Sequence, residues 1–285
     1  MNIVHIKEKT GYFDFPGLSV PFYEISSREI ILLDSGYRQN GERIARYCRE
    51  SGIRVRAVIH SHIHIDHICG DYAFFEDSSV RFYGPMSEVT EGLPVYRELL
   101  PHQERHYSDI LDMVQAMERL QTCMTDLGNL STVTVAGINF RLIDAPGHTP
   151  CHKIIITPDR VCYLGDTLVF GGTMQSAKVP YAFNVMEDIA TKKRLTGMDY
   201  AFYIAAHEGH FTGVQLKQVV DRNMAITDRI FRIIREVSEA SPDLKGHDRL
   251  ASVFAKLHIH FSRGTPWTAD TVQQYCDYYD QVFLT

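Results

Sequence analysis

His60-Ser61-His62-Ile63-His64-Ile65-Asp66-His67 places four metal-binding side chains within six residues, from His62 to His67. The stretch follows a short apolar, β-branched run, residues 55–59, that reads as a buried strand. Residues two apart on an extended chain face the same way, so His62 and His64 can grip one ion from the same side. Asp66 and His67 come where the chain should be turning and can point at a second ion. Imidazole and carboxylate together suit zinc, manganese or iron. The plainer reading, a histidine-rich surface strand, needs three imidazoles and a carboxylate to meet this spacing by accident.

The rest of the composition is ordinary. The chain has 285 residues, 45% hydrophobic and 22% charged, enough for one large core and an appended subdomain. A formal charge of -6 argues against nucleic acid as the main partner, because phosphate backbones want basic surface. No run approaches the roughly 20 apolar residues of a membrane span. Residues 1–10 carry charges where a signal peptide needs an apolar core. The six cysteines, Cys48, Cys69, Cys123, Cys151, Cys162 and Cys276, show no CxxC pair, so free thiols in a reducing cytosol are expected.

Outward from the histidines, strands are expected over residues 20–25 and 29–33, the second ending at Asp34. Asp34 reads either as a local turn former or as a group that orients the metal loop. Residues 41–51 predict a helix stopped by Gly52, residues 70–75 another, and residues 80–83 a short strand. This order suggests layered α/β architecture. Residues 86–128 break the rhythm with a helix over 108–122, whose apolar Ile110, Leu111, Val114, Met117 and Leu120 form a stripe. The stripe either packs in the core or belongs to an insertion that covers the metal site. Strands resume at 132–135 and 139–143, a hairpin through Ala136-Gly137, then at 153–156, 161–164 and 201–205, with a helix at 185–195. From residue 214 the pattern is helical, over 214–237, 249–258 and 269–283, with breaks at 241–242 and 262–266.

Four more metal-type residues follow predicted strands: Asp34, His148 in Asp144-Ala145-Pro146-Gly147-His148-Thr149-Pro150, Asp166 in Tyr163-Leu164-Gly165-Asp166-Thr167, and His207 in Ala205-Ala206-His207-Glu208. Order and spacing over about residues 20–210 resemble the metallo-β-lactamase superfamily, with its HxHxDH loop, GH turn, GD aspartate and final histidine. The resemblance implies a four-layer αββα sandwich, here with a helical insertion at about 86–128. It gives a catalytic domain over 1–213 and a C-terminal helical extension over 214–285. Carried over, His62, His64 and His148 hold a first ion; Asp66, His67 and His207 hold a second; Asp166 bridges them. Two divalent ions are implied, zinc first, iron or manganese as alternatives, with a metal-activated hydroxide as nucleophile. Asp66 can relay a proton to the leaving group, which makes it the expected catalytic residue.

The neighbouring histidines read differently. His60 is expected either to support the ligands or to pack in the core, His152 to orient its loop, and His210 competes with His207 for the last position and loses on its distance from the strand. His5, His102, His106, His247, His258 and His260 read as surface or packing residues. Cys69 and Cys151 stand where the family usually has glycine-type residues. The bland reading makes both small and buried. The sharper one has Cys69 line the site and affect metal or redox sensitivity.

The superfamily hosts many reactions, so the fold alone does not name one. Gly165-Asp166-Thr167-Leu168-Val169, Gly171-Gly172 and His207-Glu208 are similar to glyoxalase II-type thioesterases, although Gly209 stands where that group has tyrosine. The expectation is a metal-dependent hydrolase acting on an ester-like bond (thioester, lactone or phosphoester) of a small molecule. Tyr107 and Tyr181 are candidate pocket residues. The rival is a mononuclear non-heme iron oxidoreductase of the persulfide dioxygenase type on the same residues; a non-catalytic binding protein is disfavoured because no ligand position is lost. The expected protein is cytoplasmic, with no membrane or nucleic-acid partner and a homodimer as a candidate assembly.

Overall fold

The computed structural model describes residues 1–102, 107–169, 171, 178–259 and 266–283. His106, Gly172, His260 and residues 262–265, all used in reading the sequence, lie outside these. Close packing divides the chain into two units. The first comprises residues 1–145, 151–166 and 199–213; the second comprises residues 146–150, 167–198 and 214–285.

The first unit contains two sheets. One has seven strands in sequence order: β1 (Asn2–His5), β2 (Thr10–Phe15), β3 (Leu18–Ser26), β4 (Glu29–Leu33), β5 (Arg54–Ile59), β6 (Arg81–Gly84) and β7 (Met124–Asp126). Strands β1 to β4 pair antiparallel, and β4 to β7 pair parallel. The other sheet has six: β8 (Thr132–Val135), β9 (Ile138–Asp144), β10 (Lys153–Ile156), β11 (Val161–Tyr163), β12 (Phe202–Ala205) and β13 (Gly209–Thr212), in the order β13-β12-β11-β10-β9-β8. Here only β11 and β12 run parallel. Ala136 and Gly137 both take positive φ, 49° and 79°, the pairing that a two-residue hairpin between twisted strands requires.

Four helices complete this unit: α1 (Arg38–Glu50), α2 (Ile65–Ile68), α3 (Met86–Leu99) and α4 (Tyr107–Cys123). One core joins both sheets and these helices. Phe13, Val20, Phe22, Ile31, Leu33 and Val58 from the first sheet share it with Phe140, Leu142, Ile155 and Ile204 from the second. Each buried aliphatic side chain of this kind contributes about 1.5–3 kcal/mol. The stripe on α4 serves this core: Val114, Met117 and Leu120 are buried, as are Val89 and Leu93 on α3. The fold is thus mixed α/β, two sheets with helices.

The helix expected over 70–75 differs. The helical turn begins earlier, at α2, where the amides of His67 and Ile68 both donate to the His64 carbonyl, at 3.0 and 3.1 Å. A 3-10 turn, Cys69–Ala73, follows. Its compactness is forced: a Cβ on Gly70 would lie 2.1 Å from the Ser35 carbonyl oxygen, and one on Gly41 of α1 would lie 2.1 Å from the Gly70 oxygen. A longer helix here would need room that these backbones do not leave.

The second unit gathers α5 (Val185–Leu195), α6 (Leu216–Ala240), α7 (Gly246–Lys256) and α8 (Pro266–Phe283) around a separate core. Ile230, Ile234 and Val237 recur at helical spacing on α6 and meet Val253, Phe254, Val272 and Tyr275. Among the described residues no helix is long and apolar enough to cross a membrane.

Candidate metal centre

Parallel neighbours end at the same edge of a sheet, and that fact positions the site. Asp34 follows β4 and the His60–His67 stretch follows β5, its parallel partner. Asp166 lies just beyond β11 and His207 just beyond β12, again a parallel pair. Loops from both sheets therefore converge.

They converge closely. Donor atoms of Asp66, His67, Asp166 and His207 all lie within 4.8 Å of one another, and so do those of His62, His64 and Asp166. Asp166 belongs to both groups. His62 Nε2 is 3.0 Å from His64 Nδ1, the same-side placement that the two-residue spacing implies. His207 Nε2 lies 3.2 Å from Asp66 Oδ2 and 3.3 Å from Asp166 Oδ2; His67 Nε2 lies 3.4 Å from Asp166 Oδ1. His148 lies on the segment 146–150 of the second unit, largely buried, its ring edge-on to Tyr181 and its Nδ1 3.3 Å from the Tyr181 carbonyl. His210 stands elsewhere, on β13, with Nδ1 3.3 Å from the Tyr12 hydroxyl. Tyr107 is exposed.

Fixed partners aim the imidazoles. Asp34 Oδ2 accepts from His67 Nδ1 at 2.8 Å, and the Gly17 carbonyl accepts from His207 Nδ1 at 2.9 Å. When either ring gives up its second proton, the one held on Nδ1 leaves Nε2 with its lone pair toward the carboxylates. His67 Nε2 is buried and makes no hydrogen bond. A buried nitrogen left in that state beside two carboxylates fits a divalent cation, as does the mixed imidazole and carboxylate donor set.

Asp34 itself is saturated. It accepts from the Ser61 amide and hydroxyl at 2.7 Å each, and from the Tyr163 hydroxyl at 2.5 Å. Burial alone would raise its carboxyl, but His67 and His60 hold it well below the usual carboxylate range. Of the two readings of Asp34, orientation of the metal loop is the one the geometry favours. His60 is fully buried between Asp71, 2.9 Å from Nε2, and Asp34, 3.6 Å from Nδ1. His152 is also buried, and burial pushes it down to about 4, so its neutral Nε2 accepts the Asp166 amide at 3.2 Å. Gly165 must be glycine. Its φ is +52°, and a Cβ there would lie 2.5 Å from His152 Nε2.

Without a cation the cluster is strongly polarised. Burial opposes charge on His67, yet Asp166, Asp66 and Asp34 push it well above an ordinary imidazole. Asp166 does the same for His207, pushing it up to about 12. Burial pulls His64 down to about 4. Cys69 is buried, and burial pushes its thiol well up; Cys151 is half-buried, 3.2 Å from the Ser87 hydroxyl.

Reading the sequence missed three groups that border this site. Tyr163 was visible only as part of a strand, although it sits three positions before Asp166. Tyr37, at the start of α1, has its hydroxyl pushed up first by burial and then by Asp66 and Asp166. Glu88, on the first turn of α3, carries no motif at all.

A search of curated protein sequences found no match. Among solved structures, a metallo-beta-lactamase family protein from Thermus thermophilus superposes with a TM-score of 0.66 at 18% identity, covering 93% of this chain and 88% of its own. A beta-lactamase domain protein from Burkholderia ambifaria gives 0.68 at 15%, covering 98% and 87%. AidC, a dizinc quorum-quenching lactonase, gives 0.51 at 15%, covering 68% and 74%. At such identities these likenesses speak for the fold alone. The sequence profile of the Metallo-beta-lactamase superfamily, a family of generally hydrolytic, metal-dependent enzymes, matches residues 17–207, the span that carries Asp34, the His60–His67 stretch, His148, Asp166 and His207. The chain belongs to the metallo-beta-lactamase superfamily.

Proposed function

We propose that this protein is a dinuclear metal hydrolase that cleaves an ester-like bond (thioester, lactone or phosphoester) in a small molecule. The observation that supports it best is Asp166, shared by two compact donor groups. In this reading His62, His64 and His148 hold one ion, Asp66, His67 and His207 the other, and Asp166 both. Zinc is the proposed metal, suited to imidazole with carboxylate. When bound, the pair supplies a water of lowered pKa and an electrophile for the scissile oxygen.

The protein's own groups do the rest. Asp34 and the Gly17 carbonyl keep the protons of His67 and His207 on Nδ1. Asp66 Oδ2, 3.2 Å from His207 Nε2, is the carboxylate placed to take a proton from the attacking water and return it to the leaving group. Six free cysteines support a reducing, cytoplasmic setting. A homodimer and a small-molecule substrate complete the proposal.

Elemental analysis of freshly purified protein, run with a thioester, lactone and phosphodiester panel, tests it. Two zinc ions per chain and turnover lost in both His62→Ala and Asp166→Ala are expected. One iron per chain with oxygen uptake on a persulfide would overturn it in favour of the oxidoreductase.

A further inference from the structure

An acid in the first turn of a helix ordinarily complements the positive end of that helix. Glu88 on α3 also does something more specific. Its Oε2 accepts the Ile63 amide at 2.9 Å, and its Oε1 accepts the Cys151 amide at 2.7 Å. Ile63 stands between His62 and His64. Cys151 stands directly before His152, whose Nε2 accepts the Asp166 amide. One half-buried carboxylate therefore ties the backbone of the histidine pair to the backbone that supports the shared aspartate. Charge-assisted bonds to amides are about twice as strong as neutral ones, and two on one side chain fix both distance and direction. The neighbouring Ser87 hydroxyl touches Cys151 Sγ, so the same helical turn holds this loop twice.

We propose that Glu88 is a positioning residue for the metal centre. Through Ile63 and Cys151 it sets the spacing between the His62–His64 pair and Asp166. The inference rests on the ligand assignment made under the proposed function. A peptide between two ligands controls both of them: if the Ile63 amide loses its acceptor and rotates, both imidazoles swing. Glutamine keeps the shape but offers one oxygen, and its amide group would face an N–H donor. Alanine removes both acceptors. Helix α3 in this view serves the metal centre as well as the core.

The test titrates the 285-residue protein with cobalt(II), reading the visible ligand-field bands and the affinity against a chelating dye. Glu88→Ala is expected to weaken cobalt binding about ten- to hundredfold, with Glu88→Gln intermediate. Both should shift the cobalt bands, which a general loss of stability would not do. Glu98→Ala, exposed on the same helix, should match wild type. His62→Ala reports on the ligand assignment separately. Affinity within twofold of wild type and unchanged bands in both Glu88 variants, with cobalt lost in His62→Ala, would overturn the proposal. Unaltered binding in His62→Ala would instead sink the assignment beneath it. If Glu88→Ala does not fold, Glu88→Gln decides alone.

Discussion

Asp34 has a φ of 62°, a left-handed conformation that aspartate and asparagine tolerate better than most residues. It spends its side chain on Ser61, Tyr163 and His67. Asp34→Asn should therefore keep the backbone but leave a single accepting oxygen for the donors of Ser61, Tyr163 and His67, weakening zinc by about ten- to hundredfold in a chelator competition. Protons give a second prediction at this scale. In the cation-free protein His207, with a value near 12, is charged at neutral pH, and Asp166, Asp66 and Asp34 hold His67 well above the ordinary imidazole against its burial. Their stabilising contribution is fully present below the ordinary imidazole value, and for His207 it is lost only as pH rises through about 12. A cation must expel these protons, so zinc affinity rises with pH and binding releases protons. Calorimetry in two buffers of different ionisation enthalpy reads this directly; equal heats would refute it. The side chains assigned to metal were legible in the sequence because the chemistry restricts them to a few residue types at strand ends. Glu88 and Tyr163 were not, since a carboxylate bound to distant amides and a hydroxyl bound to an aspartate leave no spacing to read.

Strands and helices were legible in proportion to how simply they bury themselves. Strands β4 and β5 match the expected runs to within a residue, because Ile30 to Leu33 and Val55 to Ile59 are apolar and bounded by turn residues. The strand β2 was missed: Thr-Gly-Tyr-Phe-Asp-Phe shows no alternation, being buried on both faces except at Asp14. Helix α3 lies within the expected helical insertion, but its bounds were not legible because Gly92 and Pro94 interrupt its pattern, and Pro94 cannot donate to the turn before it. Helix α4 shows what a clear stripe is worth. Leu120 is fully buried, so Leu120→Ala should cost about 2–5 kcal/mol in urea unfolding. Glu118, paired with Arg97 in the open, should cost at most about 1 kcal/mol when changed to alanine. Similar losses at the two positions would show that α4 does not pack as described.

For the molecule as a whole, the cation is a ligand of the folded state. Removing it with a chelator should lower the thermal midpoint. Saturation at roughly a thousand times the dissociation constant is worth about 4 kcal/mol, easily seen by calorimetry. A midpoint indifferent to chelator and restored zinc would count against the site. One supporting contact has a practical meaning for anyone trimming this protein. The ring of His207 is aimed by the carbonyl of Gly17, in the tight turn between β2 and β3. The family match begins at that same residue. A clone started at that residue would discard β1 and β2, leaving the turn as a loose end where a tag would be joined. Such a product could retain most of its sheets and still bind metal poorly at the His207 side, so the N-terminal hairpin belongs inside any expression boundary.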